Sequence, residues 1–417
     1  LPTGVSAQTA AKTLSGWSGE IRGEIAVKLS LAALPLRTRP DFETSRALCG
    51  LAQNSAHSEL TPNFAAQAAG IILSTSQNDA NTKSGVNDLT SSFKNQIITL
   101  KCYWRLTIMR IAILIVLIAV VVFLAIAAWK TYTIAIRTTP KQKQAYIDRS
   151  WAQVSAADRQ WYQQQAWQTW RIKSEDGLQL VARFLPPATP GRPIVVLAHG
   201  YHHTHQQMIP YARLYAQWGC GLLLPDSRGQ GLSGGFNLGF GWLDRRDYVA
   251  WSREILRQRG SATAIVLAGV SMGGATVLAA SGEADLPENV QAIVDDCGFD
   301  HVYPQIKLRV SGKYHLPQEP TVWLASLLTR HFAHYRLQEG DIASQVARSH
   351  TPTLFIHGDQ DDYVPIASER HMYKICQAPK AAYIVPGAGH TAAYAADPDQ
   401  YAARVKDFLS RYVSDFA

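Results

Sequence analysis

The sequence predicts an α/β fold: a mostly parallel, doubly wound sheet with a small helical cap, preceded by one transmembrane helix. Three observations carry this. Between residues 171 and 417, short continuous apolar runs alternate with stretches of helical length, as doubly buried strands and their covering helices do. At one such junction stands Gly269-Val270-Ser271-Met272-Gly273, the composition of a sharp turn from strand to helix. Every residue from Ile111 to Trp129 is apolar, which makes about 28 Å of helix against a hydrocarbon core of roughly 30 Å.

The chain has 417 residues, 47% hydrophobic and 17% charged, an ordinary globular composition with room for one large domain and extras. Its net charge of +8 is scattered, with no basic block interleaved with aromatics. That argues against nucleic acid as a partner and suits an anionic membrane surface. The five cysteines, Cys49, Cys102, Cys220, Cys297 and Cys376, form no Cys-x-x-Cys pair, so no metal site is expected. Their odd count and wide spacing argue against a disulfide framework.

Residues 1–108 are rich in Ala, Ser, Thr, Asn and Gln, without a sustained helical or strand period. The first methionine is Met109. We expect natural translation to begin there, making 1–108 an artefact of the gene start; the rival expectation is a disordered extension. Residues 109–130 are expected to anchor the chain in a membrane. Ala125-Ile126-Ala127 has the spacing of a signal-peptidase site, so secretion after cleavage is the competing expectation. Lys101, Arg105 and Arg110 precede the span, and Lys130, Arg137, Lys141 and Lys143 follow it, so the positive-inside rule favours neither side clearly. Residues 131–170 read as a linker and a polar helix studded with Trp151, Trp161, Tyr162, Trp167 and Trp170, expected to pack on the domain that follows, with a place at the membrane interface as the alternative.

That domain, 171–417, is read as strands at Leu178–Leu185, Ile194–Ala198, Gly221–Leu224, Thr263–Leu267, Val290–Val294, Thr353–Ile356 and Ala382–Val385. Helices are expected at Gln206–Trp218, Trp242–Arg257, Met272–Ser281, Ile366–Cys376 and Asp399–Tyr412. Residues 299–345 fall between two strands and are expected to supply the cap, with ordinary helix packing as the alternative. Sheets of this kind place ligands beyond the carboxyl ends of their strands, so the loops there are where chemistry belongs.

At the sharp turn the serine is forced into strained backbone angles, and side chains two residues before and after it would collide. Ser271 is thereby held up beside free N–H groups at a helix start. After the strand Ile194–Ala198 comes His199-Gly200-Tyr201-His202-His203. Gly200 lets the backbone turn an N–H inward, so the Tyr201 and Met272 N–H groups are expected to meet a developing oxyanion. His199, Gly200 and His202 are expected to line the substrate pocket. The cluster His202, His203 and His205 is read as polar loop rather than metal site, because no second ligand group accompanies it. The glycine-rich run Asp226-Ser227-Arg228-Gly229-Gln230-Gly231 lacks the Lys-Ser or Lys-Thr of a phosphate loop and is read as structural bracing. After Thr353–Ile356 come three carboxylates, Asp359, Asp361 and Asp362, and after Ala382–Val385 comes Gly387-Ala388-Gly389-His390. The order is serine, aspartate, histidine, each at a different strand end.

With those residues in place the chain resembles the α/β-hydrolase superfamily. Pro225-Asp226-Ser227-Arg228-Gly229-x-Gly231, Gly239-Phe240-Gly241, Asp296-Cys297-Gly298-Phe299 and His357-Gly358-x-x-Asp361-x-x-Val364-Pro365 resemble its membrane-anchored or exported bacterial serine hydrolases, often labelled serine-aminopeptidase-like. The resemblance implies a triad of Ser271, His390 and Asp361, the aspartate separated by two residues from Val-Pro, with Asp359 and Asp362 as alternatives. It implies cleavage of a small-molecule ester without cofactor, and an amide or peptide as the alternative substrate. A binding module on the same fold is the non-enzymatic alternative. Cys297, beside the site, is read as a small buried residue.

Overall fold

The computed structural model describes residues 82–314 and 317–416. Two compact units divide the chain, 1–115 and 116–417; the second carries everything below except the first part of one helix. That helix, α1, spans Thr82–Ala135. It corrects the expectation that residues up to 108 lack regular structure: 82–108 are helical. They contain no proline and one glycine, Gly85, and extending an existing helix avoids the cost of nucleating a new one. Residues 1–81 lie outside the described residues. The apolar stretch of α1 is one candidate membrane span by length and composition. Its large side chains from Ile111 to Ile118 stand about half exposed to solvent, Leu114 at 57%.

The polar stretch after α1 differs from the single helix expected. Two helices, α2 (Pro140–Gln153) and α3 (Ala156–Gln164), are separated where Val154 turns extended and Ser155 caps α3 by accepting from the Asp158 N–H. Then β1 (Gln168–Lys173) begins, so a boundary at Arg171 falls inside a strand. Trp170 and Ile172 alternate inward against the core, a period of two that the many tryptophans obscure. Trp170 stacks on Phe184 with ring centroids 4.1 Å apart.

Eight strands form one sheet in the order β1-β2-β4-β3-β5-β6-β7-β8. They are β1, β2 (Gln179–Leu185), β3 (Ile194–Ala198), β4 (Gly221–Pro225), β5 (Ile265–Val270), β6 (Val290–Asp296), β7 (Thr353–Gly358) and β8 (Lys380–Val385). β1 and β2 run antiparallel; from β4 to β8 all neighbours are parallel. Successive residues of a central strand face opposite sides. Ile194, Val196 and Ala198 enter one core and Val195 and Leu197 the other. The connecting helices are α4 (Ile209–Gln217), α5 (Asp244–Arg259), α6 (Met272–Ser281), α7 (Val302–Tyr314), α8 (Thr321–Ala333), α9 (Ile342–Arg348), α10 (Ile366–Ile375), α11 (Ala393–Ala396) and α12 (Pro398–Tyr412). α7 and α8 fill the interval where a cap is expected. The carboxyl end of α1 belongs to this unit: Tyr132 and Ile136 are buried in the same core as Phe184 and Trp251.

Candidate active site

β5 delivers Ser271 and α6 departs from it. The strand extends further than Leu267, because Ala268, Gly269 and Val270 remain in register with β6. Ser271 itself sits at φ 57°, ψ −116°, and its N–H donates to the Asp296 carbonyl at 2.7 Å. The crossing is so close that a Cβ on Gly269 would lie 2.2 Å from the Gly273 carbonyl oxygen. One on Gly273 would lie 2.0 Å from that of Ala198. These contacts are the physical reason for glycine on both sides of the serine. The first intrahelical bond of α6 runs from the Ala275 N–H to the Ser271 carbonyl, so the Met272 N–H stands ahead of it at the positive end of the helix.

Ser271, His390 and Asp361 come together across 119 residues of chain. Ser271 Oγ and His390 Nε2 are 2.8 Å apart. His390 Nδ1 and Asp361 Oδ2 are 2.7 Å apart. The other oxygen of Asp361 accepts the Tyr363 and Val364 N–H groups, each at 2.8 Å. Burial alone would raise the Asp361 carboxyl, but hydrogen bonds from His357 and His390 outweigh it and hold the group well below the usual carboxylate range. Of the two other acids, Asp359 accepts the Gly387 N–H at 2.7 Å and Asp362 is exposed. A hydroxyl bonded to an imidazole, itself bonded to a buried carboxylate, can surrender its proton as it attacks a carbonyl.

The residues after β3 divide. Gly200, Tyr201 and His202 line the cavity in front of Ser271, together with Met272. His199 does not, which corrects its expected pocket role. It is fully buried, its Nδ1 lies 2.9 Å from the Gly200 carbonyl, and its Nε2 accepts the Ser227 N–H at 2.9 Å. Burial lowers its pKa, so a neutral imidazole ties the loop after β3 to the loop after β4. The other histidines diverge. His202 stacks between Tyr146 and Tyr201, His203 Nδ1 meets Ser150 Oγ at 3.1 Å, and His205 Nδ1 meets Asp226 at 2.9 Å. The run after β4 is bracing in fact: Asp226 also accepts the His205 and Leu232 N–H groups, and Arg228 pairs with Asp176 and Asp247.

Several neighbours of the site were not among the residues expected to form it. Tyr363 stacks on His390 with centroids 4.6 Å apart. His357 lies behind Asp361, 3.4 Å from its Oδ2, with Glu369 of α10 3.4 Å from its other nitrogen. Burial would lower His357, but its bonds to Asp361 and Glu369 lift it to about 10. The spacing His357-x-x-x-Asp361 could have revealed this pairing; Glu369, on a separate helix, could not. Cys297 lies near Asp361 and His390, but burial pushes its thiol well above the ordinary value, and a thiol is a poor nucleophile and ligand. Elsewhere Asp300, His301 and His371 also approach one another. There Asp300 already accepts from Ser368 and meets His371 Nδ1, each at 3.0 Å.

The cavity measures about 290 Å3. Phe240, Phe299, Ile306 and Val310 give it apolar walls, and Ile134 and Ala135 of α1 close one side. Tyr201 fastens that side by donating its hydroxyl to the Ile134 and Ala135 carbonyls, at 2.9 and 3.1 Å.

This sheet order, elbow and cavity define a hydrolase of the α/β class. The model of the alpha/beta hydrolase family matches residues 195–404, and the chain belongs to that family. It is similar to the uncharacterised protein YqkD of Bacillus subtilis strain 168, 28% identical over 218 residues, which covers 52% of this chain and 70% of the relative. It is similar also to the uncharacterised protein YfhR of Escherichia coli O157:H7, 26% identical over 227 residues, 53% of this chain and 72% of the relative. Among solved structures, the Pyrococcus furiosus esterase Pf2001 matches with a TM-score of 0.50 at 19% identity, covering 63% of this chain and 96% of its own. At that identity the likeness shows the fold.

Proposed function

We propose that the chain is a membrane-anchored serine hydrolase that cleaves carboxylic esters through an acyl-enzyme, held at the membrane by α1. The observation that carries this is the unbroken hydrogen-bond chain from Ser271 through His390 to Asp361 at the wall of an apolar cavity. Ser271 Oγ bonds to the ester carbonyl carbon as its proton passes to His390 Nε2. The tetrahedral oxyanion is met by the Met272 and Tyr201 N–H groups, a contribution of about 3–4 kcal/mol per donor in comparable sites. The carbon–oxygen bond to the alcohol then breaks, and the alcohol leaves with the proton from His390. A water, deprotonated by the same nitrogen, releases the acid and restores Ser271. Asp361 holds the imidazole in the tautomer this needs.

Esters are favoured over peptides with free amino termini because no Asp or Glu lines the cavity among the described residues, so an ammonium group would find no partner there. The test is hydrolysis of 4-nitrophenyl butyrate by the full chain and by Ser271→Ala. The variant is expected to lose at least about a thousandfold in kcat/KM while keeping its circular dichroism spectrum. Undiminished turnover by Ser271→Ala refutes the assignment.

A further inference from the structure

The carboxyl end of α1 is both the end of an apolar run and a wall of the cavity. Trp129 closes the run, and Thr131, Ile134 and Ala135 line the cavity that holds Ser271 and His390. About six residues of helix, roughly 9 Å, separate Trp129 from Ala135. If α1 crosses a bilayer as read above, the site lies within two helical turns of the lipid.

The cap gives an independent observation. α8 buries Val322, Ala325, Ser326 and Thr329. Its opposite half presents Trp323 at 49%, Leu327 at 36% and Phe332 at 40% exposure, with Arg330 and His331 and no acid. A surface helix facing water carries polar side chains there. Large apolar residues flanked by basic ones are the composition of a helix lying in a membrane interface. This face is continuous with α1: Phe332 stacks on Tyr132 at 5.4 Å and meets Trp129 edge-on at 6.0 Å. The same cap contributes Ile306, Arg309 and Val310 of α7 to the cavity.

The cavity's charge is the third observation. Its lining includes two cations, Arg149 and Arg309, and no carboxylate among the described residues. Arg309 donates to the Asp362 and Tyr363 carbonyls, and its Nε is buried without a hydrogen-bond acceptor. Neither arginine forms an ion pair among the described residues. Arg309 also lies over the Tyr363 ring at 3.8 Å, and Arg149 is exposed at the cavity rim. Guanidinium groups without a carboxylate partner beside an apolar chamber favour a ligand with an acyl chain and an anionic group.

We propose that α8 rests on the bilayer beside α1, and that the substrate is an acyl ester amphiphile with an anionic headgroup drawn from that bilayer. Its chain lies along the Ile134, Phe299 and Ile306 side of the cavity and its headgroup at Arg149 and Arg309. This deepens the ester-hydrolase reading and rests on it.

The test uses the full chain reconstituted in phosphatidylcholine vesicles. Three substrates are compared: 4-nitrophenyl butyrate supplied from water, and 1-oleoyl-lysophosphatidylglycerol and uncharged monooleoylglycerol supplied in the bilayer. The double variant Trp323→Glu, Leu327→Glu is expected to lose at least about tenfold in kcat/KM on the bilayer-borne esters and to stay within about twofold on butyrate. Arg149→Gln is expected to lower the ratio of lysophosphatidylglycerol to monooleoylglycerol turnover by at least about fivefold. Equal losses of the double variant on all three substrates, or no loss on any, overturn the bilayer contact. An unchanged ratio in Arg149→Gln overturns the anionic headgroup. Butyrate cleaved with no bilayer-borne ester touched overturns the substrate class and leaves the hydrolase reading standing. Failure on every ester, with Ser271→Ala no different, overturns the hydrolase reading itself.

Discussion

Ser271 holds φ at 57°, a region that costs a non-glycine residue about 1–3 kcal/mol and persists only where the surroundings impose it. The imposition is visible in the bond from its N–H to the Asp296 carbonyl and in the glycines around it. Asp226 is imposed on in a different way. Burial opposes its ionisation, but the His205 charge and hydrogen bond, with help from the Leu232 N–H, outweigh burial and hold it at about 2. A carboxyl depressed on folding stabilises the protein in full above its ordinary value near 4, and that stability is lost as the pH falls towards 2. The gap is worth about 2 kcal/mol. Asp226→Asn is therefore expected to lower Tm at about pH 6 and to flatten the fall in Tm between about pH 5 and pH 2.5; an equally steep fall in the variant contradicts this. At this scale the sequence was legible where a residue type has one physical use. Ser271 between glycines and His390 after glycines could be found. His199 looked like pocket and is bracing, because its role depends on the Ser227 N–H, 28 residues away.

Elements position these residues through backbone contact more than through side chains. α6 can start where it does only because Gly273 lies against the Ala198 carbonyl at the end of β3. Gly273→Ala would drive a methyl into that oxygen, and separating helix from strand would move the Met272 N–H with it. The expected outcome is a loss of at least about 3 kcal/mol in denaturant unfolding, the range of severe core substitutions, with the proposed ester hydrolysis lost in whatever folds. A variant of near-normal midpoint would contradict the packing described. Continuous apolar runs gave away most of the seven strands from β2 to β8; the central ones, β3 to β7, are buried on both faces and need no alternation. β1 was hidden because an edge strand with Arg171 and Lys173 outward resembles polar helix, and its pairing with β2 is not local.

For the whole molecule, the unexpected feature is that the hydrolase unit does not begin at its sheet. Tyr132, Ile136 and Thr138 are buried. Tyr132 donates to Asn237 at 2.9 Å, and Thr138 Oγ1 to the Gly229 carbonyl at 2.9 Å. A version comprising 140–417 would lose these residues and open the cavity on its α1 side. It is expected to melt at least about 5 °C below a detergent-solubilised version comprising 116–417, as losses of a few kcal/mol do for domains of this size. Equal melting temperatures would show that the end of α1 adds nothing to the fold. The apolar run itself was plain in the sequence. Its integration into the catalytic unit was not, because Tyr132 and Ile136 become core only when distant residues close over them.

The most direct measurement of the central claim is covalent labelling of the full chain with a fluorophosphonate, followed by intact mass and peptide mapping. A hydroxyl activated by His390 and Asp361 takes one adduct, on Ser271, and His390→Ala takes essentially none on the same timescale. No adduct on the folded wild type, or an adduct on another residue, would contradict the account.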